Sequence, residues 1–331
     1  MADLRIGLVG LGMMGRHHAR VIRETDGVVL AGVADALGDP HRVAGDLAIS
    51  ASVDDLIAVG IDAAVVAVPT AYHEAVALTL AAAGVHALIE KPISGDVASG
   101  TRIVEAFESR GLVGAVGHIE RFNPALQSLR ARIASGDLGE VYQIATRRQG
   151  PFPSRIADVG VVKDLATHDI DLTSWLAQSR FASVSAHTTV RSGREFEDMV
   201  SFTALLENNV ITNHLVNWLS PMKERVTVVT GERGAFVADT ISGDLTFFEN
   251  GTVNTEWESV AAFRGVSEGT MVRFALTKRE PLRVEHEEFR NAILGLDSGV
   301  VTLREGLENV RVAEAVLKSA QNATTETIAG A

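Results

Sequence analysis

The chain has 331 residues, 46% of them hydrophobic and 22% charged, with a net charge of −12 and no cysteine. The length suits two domains, the composition is that of a globular protein, and the acidic balance argues against nucleic acid or an anionic membrane as partner. Without cysteine, disulfides, thiolate chemistry and cysteine-type zinc sites are excluded.

The N-terminus enters a strand pattern without the apolar region of a signal peptide. The most apolar stretch, 76–89, is too short to span a bilayer, so a cytoplasmic protein is expected. Residues 4–9 form a short apolar run, followed by a glycine-rich turn and a helix over 17–25. A second strand over 28–33 leads to Asp35. The continuous apolar run 63–68 is of the kind buried on both faces of a parallel sheet. An alanine-rich helix over 72–83 stops at Gly84, and a strand over 86–89 ends in Glu90-Lys91-Pro92. A helix over 101–109 and a strand over 112–116 follow. Such alternation predicts a doubly wound parallel α/β sheet over residues 1–121, a Rossmann domain.

Beyond residue 122 the pattern changes. A helix is predicted over 123–133, with Pro124 in its first turn. β-Branched segments follow at 141–147, 182–190, 199–206, 210–218, 226–230 and 245–248, some joined by turn signals such as Asn208-Asn209 and Asn250-Gly251. One helix, over 163–177, interrupts them. This reads as a second α+β domain, 122–331, with a large, mostly antiparallel, open-faced sheet. The chain closes with a helix over 303–321, carrying Leu303, Leu307, Val310, Ala313 and Leu317 at spacings of three and four, which is expected to pack back on the first domain. Residues 324–331 read as a frayed tail.

Gly10-Leu11-Gly12-Met13-Met14-Gly15 fits G-x-G-x-x-G. The pattern alone is weak in a chain with 30 glycines, and a strand–turn–helix can need glycine for sterics only. Context strengthens it: the motif follows a strand, opens a helix and lies twenty residues before Asp35. The glycines allow the tight turn and close approach of a pyrophosphate, while the helix N-terminus offers unpaired N–H groups. Asp35 suits ribose hydroxyls and repels a 2′-phosphate, so NAD is expected in preference to NADP. Further candidate cofactor contacts are Val68, Pro69, Thr70, His73, Glu90, Lys91 and Arg121. His17 and His18 point about 100° apart on the helix, so they cannot share a metal ion, and packing or capping is expected of them.

Glu90-Lys91-Pro92 sits at the carboxyl end of a predicted parallel strand, the edge where doubly wound folds bind ligands. A solvated loop would read the same in isolation. Asp164 and His168 lie four apart and share a helix face among apolar neighbours (Val161, Val162, Leu165, Ile170). Histidine suits proton transfer near neutral pH, and a half-buried carboxylate beside it could orient the ring or meet substrate hydroxyls. A surface i,i+4 pair is the bland alternative. A metal site from Asp164, His168 and Asp171 is conceivable on that face, but none is expected.

Together the glycine turn, Glu90-Lys91-Pro92 and Asp164-x-x-x-His168 in a strand-rich second domain resemble the glucose-fructose oxidoreductase / inositol dehydrogenase / MocA family. The likeness covers the whole chain, 285–294 and 303–320 included. It implies oxidation of a secondary hydroxyl of a sugar or polyol, with hydride passed to nicotinamide. It makes Lys91, Asp164 and His168 the catalytic group, in a cleft between the two domains. A narrower likeness, over 116–124 and 147–171, is to the UDP-N-acetylglucosamine 3-dehydrogenases of that family, and the expected substrate follows from it. Arg147, Arg148 and Arg155 form a local cationic cluster suited to a pyrophosphate, although surface charge or a subunit contact accounts for them equally. The candidate substrate contacts are Lys91, Asn123, Arg147, Arg155, Asp164 and His168. The alternatives are an inositol, another polyol or a free aldose, and, from another class, a non-catalytic NAD-sensing or scaffold protein. The open sheet implies a homodimer or homotetramer.

Overall fold

The computed structural model describes residues 3–153, 159–251 and 269–328. The chain forms two compact units: Met1–Phe122 with Glu280–Arg311, and Asn123–Arg279 with Val312–Ala331.

The first unit opens with β1 (Leu4–Val9), α1 (Met13–Glu24), β2 (Val28–Ala34), β3 (Ile49–Ser50), α2 (Val53–Ala58), β4 (Ala63–Val66), α3 (His73–Ala82), β5 (His86–Glu90), α4 (Val97–Glu108) and β6 (Gly114–Gly117). The strand order is β3-β2-β1-β4-β5-β6, with every pairing parallel. The order reverses between β1 and β4, which places the ligand-binding switch point of a doubly wound sheet at their carboxyl ends. All four residues of β4 are buried, as a strand covered by helices on both faces requires. Side-chain caps start two of the helices: Ser52 accepts from the Asp55 amide and Asp96 from the Ser99 amide.

The second unit contains α5 (Pro124–Ala134), β7 (Val141–Pro151), α6 (Thr167–Ala177), β8 (Phe181–Thr189), β9 (Met199–Leu206), β10 (Ile211–Asn217), β11 (Leu219–Gly231), β12 (Gly234–Asp239), β13 (Asp244–Glu249) and β14 (Met271–Arg273). The chain ends in α7 (Pro281–Ile293), α8 (Leu303–Asn322) and β15 (Glu326–Thr327). Among the described residues nine strands form one sheet, β14-β13-β12-β11-β7-β10-β9-β8-β15. It is antiparallel except where β10 runs alongside β7. Burial alternates along β9: Val200, Phe202, Ala204 and Leu206 are buried, while Ser201, Thr203 and Leu205 are exposed. The covered face shares a core with Leu129 of α5, Ile170 and Leu172 of α6, and Val316 of α8. The opposite face is open, with Leu205 and Ile211 exposed.

The expected boundary needs one correction. The expectation has 122–331 in the second domain with only the helix over 303–321 packing back, whereas the whole of Glu280–Arg311 groups with the first unit. Phe289 of α7 shares a core with Ile6, Leu8 and Ile22. The Val301 carbonyl accepts from the Val116 amide at 2.8 Å, so the returning chain lies along β6. Of α8, Leu303, Leu307 and Val310 join the first core and Val312, Ala313 and Val316 the second. Two helices also begin earlier than expected, α1 at Met13 and α4 at Val97. Among the described residues no helix is long and apolar enough to cross a membrane.

Candidate active site

The glycine turn joins β1 to α1. Gly10 has φ +97°, and a Cβ there would come within 2.6 Å of the Ala67 carbonyl oxygen; a Cβ on Gly15 would come within 2.0 Å of the Gly10 carbonyl. These two glycines let the turn close against the β4 loop and let α1 start immediately. Gly12 differs: its own chain neighbours apart, no atom of the described residues lies within 4 Å of the place its Cβ would occupy. It is the N-cap of α1, a helix with no side-chain cap and no acidic residue in its first turn. Uncapped N–H groups facing open space are what a pyrophosphate needs.

Asp35, just past β2, accepts from the Leu11 amide at 2.7 Å and from the Leu37 amide at 2.7 Å. Its carboxylate is therefore tied to the turn itself. Together these features fit a dinucleotide, with the turn for the diphosphate and Asp35 for a ribose.

The other candidate cofactor contacts divide by what they touch. The closeness of Gly10 to Ala67 and to the Val68 amide puts the Val68-Pro69-Thr70 loop beside the turn. His73 is buried, with Nδ1 3.0 Å from the Pro92 carbonyl and Nε2 3.0 Å from the Val68 carbonyl. Burial, only partly opposed by these bonds, holds its pKa below the ordinary range. It ties together the loops after β4 and β5, and its ring nitrogens face backbone. Arg121 is buried and ion-paired with Glu305 at 2.8 Å. Glu90 gives one carboxylate oxygen to His18, 2.9 Å away, and the other to the Lys91 amide at 3.1 Å. His73, Arg121 and Glu90 thus each have polar partners within the first unit. Lys91 is half-buried and precedes a cis peptide bond to Pro92.

In the second unit Asp164 lies in a π-turn, Val162–Ala166, which runs into α6. His168 is the second residue of that helix. Asp164 is buried and His168 half-buried, so the expected helix is present but its entry is wound more loosely than an α-helix. Asp169, next to His168, is buried and ion-paired with buried Arg148 of β7 at 2.8 Å, which anchors the first turn of α6 to the sheet. Among the described residues no group of three or more acidic or imidazole side chains is arranged to hold a metal.

Two substrate candidates have partners within the second unit. Asn123 is the N-cap of α5: its Oδ1 accepts from the Ala125 amide and its Nδ2 donates to the Thr240 carbonyl, both at 3.0 Å. Arg147 is exposed and ion-paired with Glu224 of β11 at 2.7 Å. Successive residues of a strand face opposite sides, so Arg147 lies on the open face and Arg148 on the α6 face. The alternation needed to separate them was present in the sequence, since the buried Ile144 and Thr146 share the parity of Arg148. Arg155 lies outside the described residues.

Comparison with known proteins agrees with this architecture. Residues 4–118 match a family described as an oxidoreductase family with an NAD-binding Rossmann fold, and residues 126–237 match the GFO/IDH/MocA C-terminal domain. UDP-N-acetylglucosamine 3-dehydrogenase of Acidithiobacillus ferrooxidans is 33% identical over 88% of this chain and 90% of that protein. A crystal form of that organism's enzyme superposes with a TM-score of 0.84, covering 97% of this chain and 99% of the other at 28% identity. Inositol 2-dehydrogenase 2 of Saccharopolyspora erythraea is 28% identical over 97% of this chain and 94% of that protein. The WlbA dehydrogenase of Bordetella pertussis, solved with NADH and UDP-GlcNAcA, shares the fold with a TM-score of 0.81 at 23% identity, covering 99% of this chain and 100% of the other. With both halves matched, the chain belongs to the GFO/IDH/MocA family of NAD-binding oxidoreductases.

Proposed function

We propose that the chain oxidises the 3-hydroxyl of UDP-N-acetylglucosamine with NAD as acceptor. The observation that carries this reading is the 33% identity, across most of both chains, to the Acidithiobacillus 3-dehydrogenase. The arginine cluster no longer supports it, since Arg147 and Arg148 are engaged in ion pairs within the second unit.

Bound NAD supplies the hydride acceptor. Asp35 favours it over NADP, because a carboxylate that accepts ribose hydroxyls repels a 2′-phosphate. His168 takes the proton of the sugar hydroxyl. Lys91 donates a hydrogen bond to that oxygen, which favours its deprotonated form. Asp164, one turn before His168 and buried, orients the imidazole or a neighbouring hydroxyl. Subunits assemble through the open face of the second sheet, where Leu205 and Ile211 are exposed beside half-buried Leu215 and Val228.

The test is NAD reduction with UDP-N-acetylglucosamine, myo-inositol and free glucose in parallel, for wild type and for His168→Ala. We expect turnover of the nucleotide sugar, and a loss of about 10²–10⁴-fold in His168→Ala with NAD affinity unchanged. Turnover of myo-inositol alone would move the reading to a polyol dehydrogenase, towards which the Saccharopolyspora relative points. NAD binding without hydride transfer to any of the three would leave a dinucleotide-binding protein.

A further inference from the structure

Behind the Glu90-Lys91 turn the first unit buries a cluster of titratable side chains that the chemistry above does not use. His18 of α1 is fully buried, as are His286 and Glu285 of α7. His18 makes two contacts: Nε2 lies 2.9 Å from Glu90 Oε1, and Nδ1 lies 2.9 Å from His286 Nε2. The two rings meet edge to face at 5.1 Å. The remaining oxygen of Glu90 accepts from the Lys91 amide.

The proton positions follow from the chemistry of the groups. Burial alone would raise the Glu90 pKa, but the hydrogen bond and charge of His18 and the charge of Lys91 outweigh it, and the carboxyl titrates below its ordinary range. A carboxylate only accepts, so the proton of the His18–Glu90 contact sits on Nε2. Burial, and then the His18 charge, hold His286 well below the usual imidazole range. Glu285 has no hydrogen-bond partner on either oxygen among the described residues. Burial, and then the charge of Glu90, raise its pKa well above the ordinary carboxylate range. Glu90 therefore presents its carboxylate to the turn, fixed through one oxygen by an imidazole whose other nitrogen is itself held. Apolar side chains would fill the same space without the desolvation cost of buried polar groups.

We infer that His18, backed by His286, is a positioning residue for Lys91: it holds one oxygen of the Glu90 carboxylate so that the other fixes the Lys91 amide at the carboxyl edge of the sheet. Glu90, whose side chain is only 12% exposed, would without His18 rotate and release that amide. The inference rests on the proposed role of Lys91 at the substrate oxygen.

Two readouts test it. The first needs no substrate: hydrogen exchange of the Lys91 amide, resolved from overlapping peptides. Exchange should quicken about tenfold in His18→Leu and stay within about twofold of wild type in His18→Gln, whose amide keeps a donor near the Nε2 position. The second is steady-state kinetics. His18→Leu should lose about 10- to 100-fold in kcat, as a misplaced reacting group does, with the NAD dissociation constant unchanged and His18→Gln largely restored. A His18→Leu/Glu90→Gln double variant should be no worse than Glu90→Gln alone, because both changes break one path. Should His18→Leu not fold, His286→Leu takes its place, with a smaller change of the same sign. Unchanged Lys91 exchange in a folded His18→Leu or His286→Leu protein overturns the inference, as do His18→Gln losses equal to those of leucine or multiplying losses in the double variant. Lys91→Ala separates the two ideas. Wild-type turnover there defeats the proposed role of Lys91, whereas a dead Lys91→Ala beside a fully active His18→Leu defeats only the positioning.

Discussion

Both oxygens of the Asp35 carboxylate are bonded to backbone N–H groups, Leu11 on one side and Leu37 on the other. The residue that would select the cofactor thus also braces the glycine turn. Asp35→Ala should weaken NAD binding and narrow the preference for NAD over NADP, which a side-by-side KM comparison measures. An unchanged ratio would remove Asp35 from the ribose. At this scale the glycines and Asp35 were legible because each acts within a local strand–turn–helix. Glu90, Arg121 and Asn123 were picked out by position and chemical type, but their partners are set by tertiary structure. Glu90 meets His18, 72 residues away, and Arg121 meets Glu305, 184 residues away. No local pattern carries such pairings.

Among the elements, β10 hides a titratable group of its own. His214 is buried, stacked on Phe202 at 4.3 Å and bonded to the hydroxyls of Thr146 and Thr212. Burial pushes its pKa down to about 3. An unfolded chain takes up a proton at this histidine below about pH 6.5, while the folded chain does not until about pH 3. Stability is therefore full above pH 6.5 and is lost as the pH falls, by about 1.4 kcal/mol per unit from this one group. His214→Phe cannot take the proton. It should be less stable than wild type at pH 7, by about 1–3 kcal/mol for two orphaned hydroxyls, and the gap should close as urea unfolding is repeated towards pH 5. A constant gap would show that His214 is not the titrating group. The types of the longer elements were readable from period and turn chemistry, but β3, α2, β12 and β14 were not, β15 lies in what reads as a frayed tail, and helix starts were misplaced. Gly15 and Gly100 look like reasons to begin a helix late. Both instead lie inside helices, because a Cβ at either would collide, at Gly15 with the Gly10 carbonyl and at Gly100 with Ser94 and Leu307. Close packing there overrides helix propensity. The π-turn at Val162–Ala166 left no mark in the spacing of Asp164 and His168.

The largest departure from the sequence reading is the return of Glu280–Arg311 to the first unit. Periodicity shows that a helix is amphipathic but not which sheet it covers, so nothing in the spacing places α7; the return of α8 to the first domain is expected, and Leu303, Leu307 and Val310 do join its core. A fragment of residues 1–122 should lack a cooperative thermal transition, because Phe289, Leu303 and Leu307 complete its cores. A fragment joining 1–122 to 280–311 through a short linker should regain the transition, and NAD at a hundredfold excess over its Kd should stabilise it by about 2.7 kcal/mol. Cooperative melting of 1–122 alone would contradict this. The same return has a consequence for how the protein is made. The nucleotide-binding half is begun first but completed late: Arg311 comes 189 positions after Phe122 (311 − 122), so at ordinary synthesis rates β6 waits roughly 10–40 s on the ribosome for the segment that covers it. A nascent chain that shows bare apolar sheet for that long is a natural client for ribosome-associated chaperones, and codon choice between the two segments would set how long it stays one.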